Sequence, residues 1–499
     1  MAHYRLIIRN ATVYDGTGAP PKQADLAVQD DRIAIIGDIE GVSAEQEIDA
    51  SGQAVAPGFI DVHTHDDFAA IFHADMAFKF MGGVTTSIVG NCGMGAAPYP
   101  EAMRMSRAFH PNHSLPEYHG YHGYMDYLEA HPPGINIGVL MGHGTIRAAA
   151  MGRKQDVPDD REMAAMKTLV HEGLDAGTLG LSTGLIYDPG RYAQTDEITE
   201  LAGEMYGTGA LYTTHMRNEG PDLLDSIRES MRIGERAGVP VQISHHKVTG
   251  RENWGMVAES LRLIEQAQAN GQDIHADQYP YTAGSTILSA VMQNGRFDEA
   301  ASDGSMGRLY PEDVVIAAAA NKAEWEGKSI ATLAQELGKP PQEAAEAVLR
   351  EEPGATVVMH TMNEDDVQTI MQHNSTMIGS DGLPTLEGKP HPRLYGTFAR
   401  VLGHYSRDLS LFSLEEAIYR MTGFSASKFG LSERGVLSEG AFADLVIFDP
   451  SEIKDQGTFE DPNHYPIGIN HVFVNGVQVK HDGSPIEQRA GKVLRRMDV

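Results

Sequence analysis

The chain holds one cysteine, Cys92, and its setting is not that of an ordinary core residue. It stands in Val89-Gly90-Asn91-Cys92-Gly93, just past the apolar run Val84 to Val89. Upstream, Gly58-Phe59-Ile60-Asp61-Val62-His63-Thr64-His65 reads as a strand ending in two histidines at i and i+2. Both rings therefore leave the same face. Two imidazoles on one face and a thiolate at the tip of the next strand outline a first-row metal site. Singly, each feature is ordinary: a lone cysteine is most often a small buried hydrophobe, and His-x-His pairs arise by chance among 22 histidines. The rest of the constellation gives them weight. Further apolar runs end in Thr213-Thr214-His215-Met216-Arg217, in Ser244-His245-His246-Lys247 and in Gly379-Ser380-Asp381-Gly382.

Cys92, His215 and His245 offer one thiolate and two imidazoles, a set that suits Zn2+ and leaves a fourth position for water. Asp381 could take that water's proton and pass it to a leaving nitrogen. His63, His65 and Asp381 could hold a second, weaker metal. His246 reads as a supporting or core residue beside His245. His73, His143, His275 and His360 read as structural, and His110, His113, His119, His122 and His131 as loop residues.

Positioning these groups needs a scaffold that gathers strand ends. The middle of the chain alternates strand-like runs with helical patterns: 59–65, 84–91, 135–143, 178–185, 210–216, 239–246, 273–280 and 377–382. Between them, Asp222 to Ala237 and Trp254 to Ala269 carry apolar residues at three- and four-residue spacing. Eight strands with helical excursions predict an α/β fold, a (β/α)8 TIM barrel over residues 57–434, whose catalytic groups gather at the carboxyl ends of its strands. No Gly-x-Gly-x-x-Gly opens a helix after the first strand, which weakens a dinucleotide-binding reading. Residues 285–376 are too long for a simple connection and read as an insertion before the last strand. It is predicted to hold helices at Pro311 to Asn321, Ile330 to Leu337 and Pro341 to Glu351, and a strand at Thr356 to His360. Short strand-like runs at both ends (Tyr4 to Ile8, Leu26 to Val28, Arg32 to Ile36, Ala443 to Phe448) and an Asn475-Gly476 hairpin signal predict a small β-sandwich domain built from residues 1–56 and 435–499.

With 39 Lys plus Arg against 69 Asp plus Glu, the formal charge is −30. Such a surface repels phosphate backbones and anionic headgroups, so neither nucleic acid nor membrane is an expected partner; a small-molecule substrate is. One cysteine permits no intrachain disulfide. The first residues lack a basic stretch followed by a long apolar one. The expected location is the cytoplasm. Nothing in the sequence fixes an oligomeric state.

The Phe59-to-His65 start, the aspartate after the last strand and the split β-domain resemble the amidohydrolase superfamily. Most binuclear members bridge their metals with a carboxylated lysine on the fourth strand. Here that strand reads Gly177-Thr178-Leu179-Gly180-Leu181-Ser182-Thr183-Gly184-Leu185, with no lysine, and the chain offers Cys92 on the second strand instead. That exchange is similar to the N-acyl-D-amino-acid deacylases (D-aminoacylases). Asn91-Cys92-Gly93, His215-Met216-Arg217-Asn218-Glu219, His245-His246-Lys247, Asp277-Gln278-Tyr279-Pro280-Tyr281 and His391-Pro392-Arg393-Leu394-Tyr395-Gly396-Thr397-Phe398 also look like motifs of that family.

The resemblance implies tight zinc on Cys92, His215 and His245, a weak or empty second site at His63 and His65, and Asp381 as general base and acid. It also implies that Lys247, Tyr279, Ser285 and Arg393 hold the substrate carboxylate, which an Arg fork and a Lys point charge suit. The implied reaction is hydrolysis of a linear N-acyl-D-amino acid to a carboxylate and a free D-amino acid. Thr286 to Gln293 is largely apolar, which suits side chains such as Met, Leu or Phe, because an unpaired buried carboxylate is costly. Arg296 keeps an N-acyl-D-Glu or D-Asp deacylase open, and the segment Phe297 to Met306 departs from the family. A cyclic-amide hydrolase of hydantoinase or dihydroorotase type is a further alternative, against which the missing lysine counts. A catalytically dead binding relative would have lost ligands that this chain keeps.

Overall fold

The computed structural model describes residues 3–110, 112–297 and 304–496. In chain order, β1 (His3–Val13), β2 (Lys22–Gln29), β3 (Arg32–Gly37), β4 (Ser43–Asp49) and β5 (Ala54–Pro57) come first. Next come β6 (Phe59–Asp61), β7 (Val84–Val89), β8 (Asn136–Gly142), β9 (Gly180–Gly184), β10 (Leu211–His215), β11 (Val241–Ile243) and β12 (Ile274–Gln278). Three strands of the inserted stretch follow, β13 (Gly284–Ile287), β14 (Val314–Ala318) and β15 (Thr356–Met359), and then β16 (Thr376–Ile378). β17 (Leu445–Phe448), β18 (Ile469–Val474), β19 (Val477–His481), β20 (Ser484–Pro485) and β21 (Val493–Leu494) complete the set.

Strands β6 to β12 and β16 pair in parallel, each with its neighbour, as the eight staves of a barrel. Every residue of β7, β8, β9 and β10 is buried, the pattern of parallel strands covered on both faces. The closing seam between β6 and β16 has one backbone bridge, Thr64 to Gly382. Side chains stitch it further. Asp61 accepts from the Ser380 amide at 2.8 Å and from its hydroxyl at 2.5 Å. The wholly buried Lys79 Nζ donates to Asp61 at 2.7 Å and to Thr64 at 2.8 Å. That knot fixes the two strands whose ends carry His63, His65 and Asp381.

The termini form one sheet of nine strands, ordered β20-β19-β18-β17-β5-β1-β2-β3 with β4 on β1. A bulge at Asn10 (φ 57°) resets the alternation of β1, so Leu6, Ile8, Ala11 and Val13 all face one apolar cluster. The sheet curls until Arg32 bridges Phe442, enclosing that cluster with Leu26, Val28, Val55, Leu445 and Ile447. Asn475 and Gly476, at φ 48° and 75°, make the β18–β19 turn of the kind an Asn-Gly pair favours. The last strand, β21, leaves this sheet and pairs with β8.

Helices are found at Leu223–Ala237, Val257–Ala269, Ile330–Leu337 and Pro341–Glu351, matching the periodicity. The helix expected at Pro311 to Asn321 is instead the strand β14, paired antiparallel with β15, which also pairs with β13. Four successive alanines from Ala317 gave that stretch a helical look, but Val314, Val315 and Ile316 are β-branched, and pairing with a distant strand decided the outcome. Among the described residues no helix is long and apolar enough to cross a membrane.

Candidate metal centre

The carboxyl ends of β6, β7, β10, β11 and β16 converge as the sequence predicts. Cys92 Sγ lies 3.3 Å from His63 Nε2, 3.7 Å from His215 Nδ1 and 3.5 Å from His245 Nε2. Donors about 2.0–2.3 Å from a shared zinc ion in a tetrahedron stand about 3.3–3.8 Å apart, and these spacings fall in that window. Asp381 Oδ1 is 3.2 Å from His65 Nε2 and 3.6 Å from His63 Nε2. Cys92 thus sits between the pair His215/His245 and the group His63/His65/Asp381. Strand β9 sends no ligand there: Ser182 Oγ accepts from the Gly93 amide at 3.0 Å and bonds the Gly90 carbonyl, bracing the cysteine's loop.

Three of these residues, Cys92, His245 and Asp381, have positive φ (54°, 35° and 50°). Non-glycine residues in that region carry strain, and here it aims three side chains from three strands at one point.

Behind the imidazoles stand two carboxylates to which sequence reasoning gave no role. Glu219 Oε1 lies 3.0 Å from His245 Nδ1, and its Oε2 3.7 Å from His215 Nε2. Asp277 Oδ2 lies 3.4 Å from His63 Nδ1, while its carboxylate also accepts from the His245 amide at 2.7 Å and from Gln242 Nε2 at 2.9 Å. A carboxylate behind the ring, with the opposite nitrogen facing the centre, is how metal-bound histidines are oriented. The signal was in the chain: both residues lie in the motifs His215 to Glu219 and Asp277 to Tyr281. Tyr187 was also missed. Its ring meets His215 edge-on at 5.1 Å and its hydroxyl is 2.9 Å from Thr286 Oγ1.

Lys247 Nζ is 2.7 Å from both Glu219 Oε1 and His245 Nδ1, so it is packed into the support of the centre. Arg393 is 1 % exposed, bonds Asp381 Oδ2 at 2.8 Å and the Ser285 carbonyl at 3.1 Å, and stacks its guanidinium 4.4 Å from the Tyr279 ring. Its Nε and Nη1 are buried without a partner, two donors in search of an anion. Lys247, Tyr279, Ser285 and Arg393 therefore do lie together beside Asp381. His246 bonds Ser260 Oγ at 2.8 Å, away from the centre, and His143 pairs with Glu197 at 2.9 Å. His122 lies within a helix, Gly120–Ala130, rather than a loop.

The electrostatics match the geometry. Burial pushes the Cys92 thiol up, but the His63 charge and hydrogen bonds from His215, His245 and His63 hold it well below its usual range. Burial also pushes Asp381 up, and Arg393, His245 and His65 outweigh it, leaving the carboxyl well below normal. Glu219 is held down in the same way by Lys247, His215 and His245 against its burial. Conversely, His65 is raised to about 9 because Asp381 and Cys92 overcome its burial. His63 is raised well above normal against its burial by Asp277 and Cys92. His215 is lowered, by burial. Cys92, Asp277 and Asp381 thus favour protons on His63 and His65, and a cation at the centre would take those protons' place. The donor set, its spacing and the carboxylates behind the rings fit zinc.

A cleft opens onto Cys92, walled by Met94, Tyr187, Ile287, Ser289, Ala290 and Gln293. The apolar stretch after Ser285 thus forms one of its walls. Arg296 is solvent-exposed. Arg104 and Arg153 also border the cleft, and Arg104 is paired with Glu101 at 2.5 Å. Of the departing segment Phe297 to Met306, residues 298–303 lie outside the described residues.

A model of the amidohydrolase family matches residues 46–480. The D-aminoacylase of Alcaligenes xylosoxydans xylosoxydans is 43 % identical, over 99 % of this chain and 98 % of that protein. A crystal structure of D-aminoacylase, described as defining a novel subset of amidohydrolases, superposes with a TM-score of 0.89 at 42 % identity, covering 99 % of this chain and 100 % of the other. The N-acyl-D-glutamate deacylase of Bordetella bronchiseptica, solved with zinc and a phosphonate mimic of the tetrahedral intermediate, reaches 0.90 at 38 % identity with the same coverage. The chain belongs to the amidohydrolase family, in the branch of the D-aminoacylases.

Proposed function

We propose that the protein is a zinc-dependent hydrolase of linear N-acyl-D-amino acids, releasing a carboxylate and the free D-amino acid. The observation that carries this is the Cys92 thiol within 3.3–3.7 Å of three imidazoles, with Asp381 beside it and two unpaired guanidinium donors next to Asp381. The D-configuration and the linear amide follow from the D-aminoacylase relative, and zinc from the Bordetella deacylase.

Cys92, His215 and His245 hold the tight ion; His63, His65 and Asp381 offer a second, weaker place. Zinc bound there supplies Lewis acidity, acidifying a water and polarising the amide carbonyl. Asp381 accepts the proton of the attacking water and returns it to the amide nitrogen as the C–N bond breaks. Arg393 attracts the substrate carboxylate, with Tyr279, Ser285 and Lys247 around it; Lys247, already shared with Glu219, is the lesser clamp. A carboxylate on Arg393 offsets the charge that holds Asp381 low. Asp381 therefore binds a proton more readily with substrate present than without, which suits a group that must first take one.

The cleft wall of Ile287 and Ala290 supports apolar side chains such as Met, Leu or Phe. Arg104 and Arg153 at its border favour a second reading, an N-acyl-D-Glu or D-Asp deacylase. We assign residues 1–56 and 435–499 to the terminal β-unit and 57–434 to the barrel with its insertion, and place the protein in the cytoplasm. Initial rates on N-acetyl-D-methionine, N-acetyl-L-methionine and N-acetyl-D-glutamate, with zinc, test the proposal. Fast D-methionine and negligible L-methionine turnover is expected. Turnover of D-glutamate alone would move the substrate to the acidic class, and equal D and L rates would overturn the stereochemical assignment.

A further inference from the structure

Arg393 opens the helix Arg393–Arg400, and its place is set from behind. His391, two residues earlier, is 4 % exposed. Its Nδ1 accepts a hydrogen bond from the Arg393 amide at 3.0 Å, and its Nε2 lies 2.9 Å from the Ala283 carbonyl. A backbone amide can only donate and a carbonyl can only accept. The two contacts therefore fix the tautomer, with Nδ1 bare and Nε2 carrying the proton. Burial and the Arg393 charge push this imidazole well below its ordinary range, in keeping with a neutral ring. Two residues past Ala283, the Ser285 carbonyl accepts from Arg393 Nη2 at 3.1 Å. The segments 283–285 and 391–393 are thus tied at both ends, by the imidazole at one and the guanidinium at the other.

Aromatic rings wall the imidazole in. Tyr281 and Phe459 meet it edge-on at 5.2 and 5.0 Å. Tyr279, whose ring also carries the Arg393 guanidinium at 4.4 Å, stands 6.2 Å away. Phe459 comes from far off in the chain, from the connection between β17 and β18 of the terminal sheet. That connection is moored beside the site by Asp455 on Arg400 at 3.1 Å and by Asn463 on the Gly388 carbonyl at 3.0 Å. Through one ring the terminal sheet reaches the back of the substrate clamp.

Resting on the proposed function, we infer that His391 is a positioning residue for recognition of the substrate carboxylate: it pins Arg393 against the segment that carries Ser285, with Phe459 of the terminal sheet as its backstop. A neutral ring is the right kind of pin, because an imidazolium beside Arg393 would repel it and would lose the bond from the amide. Asp381 binds the same guanidinium at 2.8 Å. Asp381 changes charge in the proposed reaction, so its hold on Arg393 varies through the cycle. The hold of the neutral imidazole does not.

The test compares the unmodified zinc-loaded enzyme with His391→Phe, His391→Asn and Phe459→Ala. N-acetyl-D-leucine is the substrate and the neutral N-acetyl-D-leucinamide the competitor. His391→Phe keeps a ring and loses both hydrogen bonds. Its KM for the acid should rise about tenfold or more, the worth of one or two such bonds, while kcat changes little and bound zinc not at all. In His391→Asn the side-chain oxygen still accepts from the amide two residues on, so part of that loss should be recovered. Phe459→Ala leaves both bonds in place and should raise KM by a smaller factor. The leucinamide offers Arg393 no carboxylate, so its Ki should stay unchanged in every variant. An unchanged KM in His391→Phe, or equal weakening of acid and amide, would overturn the inference. Should His391→Phe not fold, the acid-against-amide comparison in His391→Asn and Phe459→Ala decides in its place. No turnover of any N-acyl-D-amino acid, acidic ones included, by the unmodified enzyme would instead remove the proposed function, and the role of His391 with it.

Discussion

Two sides of one thiol are built differently. On one side of Cys92, His215 and His245 are backed by Glu219 and Lys247, and all four are buried. Glu219 and Lys247 pair within the protein at 2.7 Å, and His245 Nδ1 lies 3.0 Å from the same carboxylate. On the other side, His65 and Asp381 keep about a tenth of their side-chain surface open, and Asp381 is tied to a guanidinium two of whose nitrogens lack hydrogen-bond partners. Under the proposed function the first side would hold an ion, and the second would exchange protons and receive an anion. The difference teaches how holding and reacting could be separated within one cluster of side chains.

That division can be broken or sharpened by substitution. Cys92→Ala removes the group shared by both sides and should abolish both metal binding and turnover, read by metal analysis and rate together; full activity would take Cys92 out of the site. Asp381→Asn should leave the tight zinc bound while turnover falls by about two to four powers of ten, the usual worth of a positioned acid–base group. Arg393→Ala should chiefly raise KM, with kcat/KM down by about a hundredfold, in the range for losing a hydrogen-bonded charge partner. An unchanged KM would argue against the clamp. Glu219→Gln acts only through His245 and His215, so zinc affinity should drop by about ten- to a hundredfold in a competition titration with a chelator.

The smallest effect is on pH dependence. In the proposed function Asp381 works deprotonated, so activity should be lost as pH falls through its pKa. Against its burial, the Arg393 charge holds that pKa down in the free protein, and a substrate carboxylate on Arg393 offsets part of the hold. The acid limb of kcat, which reports the substrate complex, should therefore lie at higher pH than that of kcat/KM, which reports the free enzyme. Coincident limbs would show that the Arg393 charge does not couple the two.

The barrel was legible because each of its eight strands is an apolar run whose polar tip stands out against it, as in Val84 to Cys92. The β18–β19 turn was legible because Asn475-Gly476 is a local signal. What stayed hidden is what depends on partners distant in sequence. Val314–Ala318 became a strand because β15 was there to pair with it, which its alanines do not announce. Glu219 and Asp277 carry no ligand-like spacing of their own and acquire meaning only from the imidazoles that other strands bring to them.

The most direct measurement is a zinc titration of metal-free protein, following bound metal and N-acetyl-D-methionine turnover together, in the unmodified enzyme and in Asp381→Asn. Turnover should reach its maximum at one bound equivalent, and Asp381→Asn should take up that equivalent with the same affinity and remain nearly inactive. If Asp381→Asn fails to bind the first equivalent, or if turnover demands two, then holding and reacting are not divided at Cys92.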